Sequence, residues 1–205
     1  MMQLYYAPDS IALAPHIVLI ESGLDHALVK VDHHTHVNED GSSYFEINPN
    51  GYVPSLRLED GFVLTETMAI MQLTADGAPE SGLCPPLGNL ARYRVLAWTS
   101  FVATEIHQKF MRFTQADLTR AQYVAIVDLL KQRVSYAEAQ LAHSRFLEGD
   151  KPTIADFFLY VATRWFKYHD VPLSQWPHLE RCRAGIEALP SVRQAFAEEG
   201  LAGGT

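Results

Sequence analysis

Two short runs hold most of the chemistry this sequence offers. Gly51-Tyr52-Val53-Pro54-Ser55-Leu56 reads as a loop entering a strand, and Thr65-Glu66-Thr67-Met68-Ala69-Ile70 as a strand giving way to a helix. A Pro at the mouth of a strand donates no ladder hydrogen bond. A cis Val53-Pro54 bond would turn the Val53 backbone outward, leaving one N–H and one C=O to pair with an extended peptide as an added strand does. The helix start beyond it offers unpaired N–H groups to a carboxylate. Glu66 would oppose an ammonium group, and the Thr67 hydroxyl would help hold the carboxylate. The expectation is a site that reads a short peptide backbone and an amino-acid end together.

Other residues have both a chemical and a structural reading. Ser10 stands where a turn meets the first helical run, so it can cap that helix or donate to an anion at its N-terminus. Tyr6 is a strand-end aromatic with a hydroxyl donor. His107 falls in a helical stretch, and a neutral imidazole there could give or take a proton. Phe110, Phe113, Trp165 and Tyr168 are helical aromatics of the kind that fill cores, and they could equally line an apolar pocket. Asp32-His33-His34-Thr35-His36 brings imidazoles together as Zn or Ni sites do. No fourth ligand accompanies that run and it reads as an exposed loop, so no metal is expected.

These side chains need elements to position them. Leu4-Tyr5-Tyr6 is a short β-rich run, Ala12 to Glu21 has helical composition with Gly23 as its stop, and Ala27 to Val31 reads as a second strand. Two strands around a helix suggest a parallel βαβ unit. His33 to Gly41 reads as a loop and Ser42 to Ile47 as a short helix. Ser55 to Leu58 and Phe62 to Leu64 flank Glu59-Asp60-Gly61, a hairpin signal. Glu66 to Ala75 returns to helix. The expected domain covers residues 1–77, with a Gly- and Pro-rich linker over 78–88 and helices over 89–205. In the helical part, Leu90, Arg94, Ala97, Phe101, Glu105 and Gln108 fall on one stripe. Tyr123, Val127, Leu130, Val134, Ala137 and Leu141 form a packing face. Ile154 to Tyr168 is apolar nearly all round, as a central buried helix would be. Thr153-x-x-Asp156 has the form of a capping box, and Trp176-Pro177 and Leu189-Pro190 mark further helix starts.

Composition narrows the function class. With 48% hydrophobic residues and a net charge of -8, the chain reads as globular and unsuited to nucleic acid. No apolar run reaches the length of a membrane span, and no secretory signal is evident. Cys84 and Cys182, the two cysteines, lie far apart and read as free thiols in a reducing cytoplasm. Residues 1–80 carry Lys30 and Arg57 as their fixed cations against twelve Asp and Glu.

The clamp resembles the glutathione site of cytosolic glutathione transferases, and a similarity to the bacterial beta class runs along nearly the whole chain. Leu4-Tyr5-Tyr6-Ala7-Pro8-Asp9-Ser10-Ile11-Ala12-Leu13-Ala14-Pro15-His16-Ile17 is similar to that class's first strand and helix. Tyr44-Phe45-Glu46-Ile47-Asn48-Pro49-Asn50-Gly51 resembles the segment leading into its cis-Pro. Ala103-Thr104-Glu105-Ile106-His107 resembles its fourth helix, and Thr153-Ile154-Ala155-Asp156 its buried helix cap, with Arg164-Trp165 also fitting. The resemblance implies an α/β thioredoxin-like N-terminal domain followed by an all-α helical C-terminal domain, assembled as a cytoplasmic homodimer. It implies glutathione as co-substrate, a small hydrophobic electrophile as acceptor, and no metal.

The family's residue roles carry over position by position. Val53, Pro54, Glu66 and Thr67 keep the clamp pattern. His36, Tyr52, Ser100 and Gln108 stand where the beta class has Lys, Gln, Asn and Lys. His107 matches a His that approaches the sulfur, Glu105 an acidic residue that reaches toward a second subunit's glutathione, and Trp165 the acceptor pocket. Ile11 replaces the usual beta-class Cys, and Ala12 the Ser that often follows. Ser10 is the expected substitute, because Tyr5-Tyr6-Ala7-Pro8-Asp9-Ser10 resembles the theta and delta classes, whose catalytic Ser follows Tyr-Tyr-x-Pro-Gly; Tyr6 is a further possible donor. A hydrogen bond to charged sulfur supplies about 1.5–3 kcal/mol and the helix dipole about 0.3–1 kcal/mol. Lowering a thiol pKa by about two units needs about 2.7 kcal/mol, so the two together suffice. Asp9 replaces the family's Gly, and a carboxylate about 6 Å from sulfur would cost about 2.8 kcal/mol at an effective dielectric near 20 unless it faces solvent. Two rival functions share the fold: a non-catalytic interaction protein similar to the bacterial stringent starvation regulator, and a glutathione-dependent isomerase or dehalogenase.

Overall fold

A computed structural model describes residues 1–169 and 171–201. The chain forms two compact units, Met1–Cys84 joined by the segment from Glu187, and Pro85–Ile186.

The first unit contains β1 (Met2–Tyr6), α1 (Leu13–Ser22), β2 (His26–Asp32), β3 (Val37–Asn38), β4 (Ser55–Arg57), β5 (Val63–Thr65) and α2 (Thr67–Gly77). The sheet order is β3-β2-β1-β4-β5. β1 runs parallel to β2, which requires the α1 crossover, and antiparallel to β4; Leu4 lies opposite both Leu28 and Leu56. Side chains alternate across the sheet. Leu4, Leu56, Leu19 and Ile70 close one core, while Tyr5, Val31 and Tyr44 close another. This is the thioredoxin-like βαβ arrangement followed by a hairpin and helix.

Three local expectations are corrected. The stretch read as a loop over 33–41 contains β3, paired antiparallel to β2 with Asn38 opposite Val31. The helix read over 42–47 is a single 3-10 turn, Tyr44–Glu46. Helix α1 starts at Leu13 rather than Ala12, because the Ala12 N–H bonds to the Ser10 hydroxyl at 3.2 Å, outside the helix.

The second unit is helical. α3 (Leu90–Phe101) passes through a π-helical turn, Val102–His107, into α4 (Gln108–Phe110), and α5 (Arg120–Leu141), α6 (Ile154–Arg164) and α7 (Pro177–Glu187) follow. The stripe from Leu90 through Gln108 does not face the core: Leu90, Arg94, Ala97 and Gln108 are exposed, and burial falls on Arg92, Val95, Thr99, Val102, Ile106 and Phe110. On α5 the expected face holds from Leu130 on, with Leu130, Val134, Ala137 and Leu141 buried; nearer the N-terminus Ile126 is buried instead, and Tyr123 and Val127 are half-buried. Every residue of α6 is buried. Its buried N-terminus is held by Asp156, whose carboxylate accepts from the Thr153 N–H and hydroxyl, each at 2.9 Å, and from the Leu147 N–H at 2.7 Å. The last described helix, α8 (Pro190–Glu199), returns to the first unit and packs on α1, which corrects the expectation of one helical domain over 89–205.

Candidate functional site

The peptide-reading edge is built by the segment just before β4. The Val53–Pro54 bond is cis. The Tyr52 carbonyl is bound twice, by the Tyr44 hydroxyl at 2.9 Å and the Asn48 side-chain amide at 2.7 Å. Tyr44 also bonds the Ser55 hydroxyl at 2.8 Å. Both flanks of Val53–Pro54 are thus fastened to the fold, while Tyr52's own side chain is 72% exposed. Among the described residues, neither the N–H nor the C=O of Val53 has a partner in the protein. A half-buried strand extension with both groups free is what an incoming extended peptide needs. His36 flanks this edge. Its Nδ1 lies 3.1 Å from the Gly51 carbonyl and its ring rests on Phe45 at 4.5 Å. Gly51 has φ 73°, and a Cβ there would lie 2.8 Å from Phe45 and 3.0 Å from His36, so a side chain there would have to displace both rings and hold a left-handed backbone.

Glu66 and Thr67 stand at the junction of β5 and α2. Glu66 adopts φ 71° and ψ 118°, a conformation that a side chain rarely takes. Such strain persists where the surroundings impose it, often at ligand clamps. No side chain caps α2, so its first N–H groups are left to a ligand or to solvent. Thr67 is buried at that terminus and Glu66 is exposed beside it.

At the other end of β1, Ala7 to Ala12 forms a tight turn. The Ser10 hydroxyl donates to the Ala7 carbonyl at 2.7 Å and accepts from the Ala12 N–H at 3.2 Å. Its one proton is therefore already in use, which the sequence could not reveal. The Ile11 N–H has no partner among the described residues. Tyr6 is buried, and that burial, reinforced by the Glu199, Glu39 and Glu198 carboxylates, holds its phenol above the ordinary value. It stays a neutral donor. Asp9 takes φ 55°, and its N–H donates to Glu199 at 3.1 Å.

In the helical unit, His107 ends the π-helical turn, a local widening often found at functional positions. Burial lowers its pKa to about 4, so the ring is neutral near pH 7. It packs against Phe158 at 6.0 Å and Trp165 at 5.4 Å. Trp165 meets Phe110 at 5.7 Å, and Phe113 stacks on His169 at 3.8 Å. Phe110 is part of the core, whereas Phe113 and Trp165 are half-buried. Tyr168 is 63% exposed, with the Lys167 ammonium 4.7 Å from its ring. Ser100 is exposed. Glu105 is paired within its own unit, to Arg133 at 2.8 Å and Lys109 at 3.7 Å. In the 33–36 run, Asp32 accepts from the His34 and Thr35 N–H groups as a turn. Among the described residues no three His, Cys, Asp or Glu converge on a possible metal position. No described helix is long and apolar enough to cross a membrane.

The sequence does not mark Tyr44 and Asn48 as site-building residues. Their signal lay in Asn48-Pro49-Asn50-Gly51, a turn whose Asn side chain has to bond somewhere nearby. Nor does it join His16 to Glu199, 183 residues apart. A His amid the apolar run from Leu13 to Leu19 was the clue, since a buried imidazole needs partners.

Comparison with known proteins gives consistent matches. Residues 10–76 match the family model of the glutathione S-transferase N-terminal domain, and residues 114–184 that of the C-terminal domain. The glutathione S-transferase GstA of Escherichia coli O157:H7 is 35% identical over 200 residues, covering 98% of this chain and all of that protein. A glutathione transferase structure from Methylococcus capsulatus superposes with a TM-score of 0.95 at 42% identity, covering 98% of this chain and 100% of the other. A sphingomonad glutathione S-transferase complexed with glutathione gives a TM-score of 0.93 at 35% identity, with coverage of 98% and 100%.

Proposed function

This chain belongs to the glutathione S-transferase family, and we propose that it binds glutathione in its first unit and transfers the thiolate to a small hydrophobic electrophile. The observation that carries this reading is the unpaired Val53 peptide beside the cis bond. A tripeptide laid antiparallel to Val53 pairs its cysteinyl N–H and C=O with that peptide. Its γ-glutamyl carboxylate then meets the first turn of α2 and the Thr67 hydroxyl, and its ammonium meets Glu66. His36, fixed on the Gly51 carbonyl, serves the glycine carboxylate.

The sulfur is held as thiolate by the Ala7–Ala12 turn. Ser10 donates to it by rotating its hydroxyl off the Ala7 carbonyl, and the Ile11 N–H and the start of α1 add their partial positive charge. The thiolate attacks an electrophilic carbon, a sulfur–carbon bond forms, and a halide leaves with the electron pair of its broken bond. Catalysis is anion stabilisation and positioning. Within the helical unit, the side chains around Trp165 and Phe113 offer apolar surface of the kind a hydrophobic electrophile needs, and His107 there is neutral near pH 7.

The test is calorimetry with glutathione, followed by turnover of a chlorinated nitroaromatic by the wild type and by Ser10→Ala. Heat of binding and thioether formation are expected, with kcat of Ser10→Ala down about tenfold or more for a lost bond to charged sulfur. Full rate in Ser10→Ala removes that residue from the mechanism. No heat at millimolar glutathione overturns the binding site itself. One observation favours a second reading, binding without turnover: the Ser10 proton is already donated to Ala7. Heat without any thioether would select it.

A further inference from the structure

The β1–α1 turn is cross-bonded within itself, through Ser10 to Ala7 and Leu13 to Ser10. One backbone donor leaves the turn for the far end of the chain: the Asp9 N–H, bonded to Glu199 Oε2 at 3.1 Å across 190 residues. Glu199 is fully buried and is itself fixed. Its Oε1 lies 2.9 Å from Nδ1 of His16, also fully buried, while Nε2 of His16 lies 2.8 Å from Glu198. Tyr6 and His26 close the ring of neighbours, with centroids 6.1 Å and 6.0 Å from the His16 imidazole. A cluster linking α8 to α1 thus ends on the residue before Ser10. Asp9 takes φ 55°, which a non-glycine residue seldom holds unaided.

We propose that Glu199, fixed by His16, is a positioning residue of the thiolate site: by accepting the Asp9 N–H it holds the turn so that Ser10 and the Ile11 N–H address the sulfur. This rests on the glutathione reading of the preceding section. It also assigns the C-terminal helix a task in the first unit, where sequence order alone places it with the helical one. The pairing explains why a carboxylate and an imidazole are buried together: each needs the other, and the remaining carboxylate oxygen finds a backbone donor.

The test compares the full-length wild type with Glu199→Ala, Glu199→Gln and Glu198→Gln. Two readouts apply: hydrogen exchange of the amides from Asp9 to Ala12 in ligand-free protein, and ultraviolet thiolate absorbance of the glutathione complex at saturation. Gln keeps an amide oxygen for the Asp9 N–H, and Glu198 does not touch the turn. Expected is exchange at the turn about tenfold faster in Glu199→Ala, with β1 amides unchanged, and near-normal exchange in the two Gln variants. Thiolate absorbance falls in Glu199→Ala and is recovered in Glu199→Gln. Turn exchange in Glu199→Ala no faster than in the wild type, or raised equally throughout the unit, overturns the proposal. If Glu199→Ala does not fold, Glu199→Gln decides: turn exchange as fast as in a His16→Asn protein, which frees Glu199, overturns it, and wild-type protection supports it. A wild type with a protected turn but no thiolate signal marks failure of the glutathione reading instead.

Discussion

At the scale of single residues, the site is marked by backbone conformations that its side chains would not choose. Glu66, at φ 71° and ψ 118°, is the plainest case. Holding a side chain there costs about 1–3 kcal/mol, and in the proposed site it sets a carboxylate beside the free N-terminus of α2. Function and stability should therefore separate on substitution. Glu66→Gly relieves the backbone, offset by about 0.5–1 kcal/mol of extra unfolded-state freedom, so the variant should gain about 1 kcal/mol in urea unfolding. Glu66→Ala keeps the strain and should show no gain. Both lose the carboxylate, and both should bind glutathione at least tenfold more weakly by calorimetry, the value of one charged contact. If Glu66→Gly binds as the wild type does, the ammonium has no partner in Glu66. Gly51 is the complementary case: at φ 73° a Cβ would be strained and would have to displace the Phe45 and His36 rings.

At the scale of elements, the helical unit contains a buried carboxyl, Asp156, and a half-buried imidazole, His107, that titrate in opposite senses. Burial pushes the Asp156 carboxyl up to about 6, against the Leu147 and Thr153 hydrogen bonds that pull it down. Burial alone takes His107 down to about 4. The signs follow from proton binding. For Asp156 the folded value lies above the unfolded 3.8, the native state binds more protons between them, and stability falls as pH rises through that window. For His107 the folded value lies below the unfolded 6.5, the unfolded state binds more protons, and stability rises over nearly the same window. In the wild type the two contributions therefore oppose each other between about pH 4 and 6 in urea unfolding. His107→Phe should expose the fall with pH, and Asp156→Asn should expose the rise. Slopes identical to wild type in both would show that neither group is buried as described. The cap at Asp156 could be read from Thr153-x-x-Asp156 because its partners are three residues away, and the Val53–Pro54 edge because a Pro at a strand mouth has few uses. β3 could not, since two residues, Val37 and Asn38, carry no periodicity and gain their pairing only from β2. Nor could the occupation of the Ser10 hydroxyl, which depends on where a turn places the Ala7 carbonyl. The π-helical turn before His107 likewise has no residue signature that distinguishes it from ordinary helix.

At the scale of the whole molecule, charge sets a constraint on any anionic ligand. The chain carries -8, and residues 1–80, which hold the clamp, have Lys30 and Arg57 against twelve acidic residues. α8 brings Glu198 and Glu199 into the same unit. Arg57 lies over the Tyr5 ring at 5.6 Å, and Lys30 is exposed on β2. Glutathione is a net anion at neutral pH, so in the proposed site its carboxylates would approach a field of their own sign and be held at the end by N–H dipoles and hydroxyls rather than by a ring of cations. Dipole contacts at short range are little affected by salt, whereas the long-range repulsion is screened: the Debye length falls from about 30 Å at 0.01 M to about 8 Å at 0.15 M. Affinity for glutathione should therefore rise, by about twofold, across that range of sodium chloride at constant pH, with the gain in the association rate. Calorimetry and stopped-flow binding measure both. A site built on salt bridges to Lys or Arg would do the opposite and weaken with salt. Loss of affinity on adding salt would place a cation in the clamp and displace the free start of α2 as the group that holds the carboxylate.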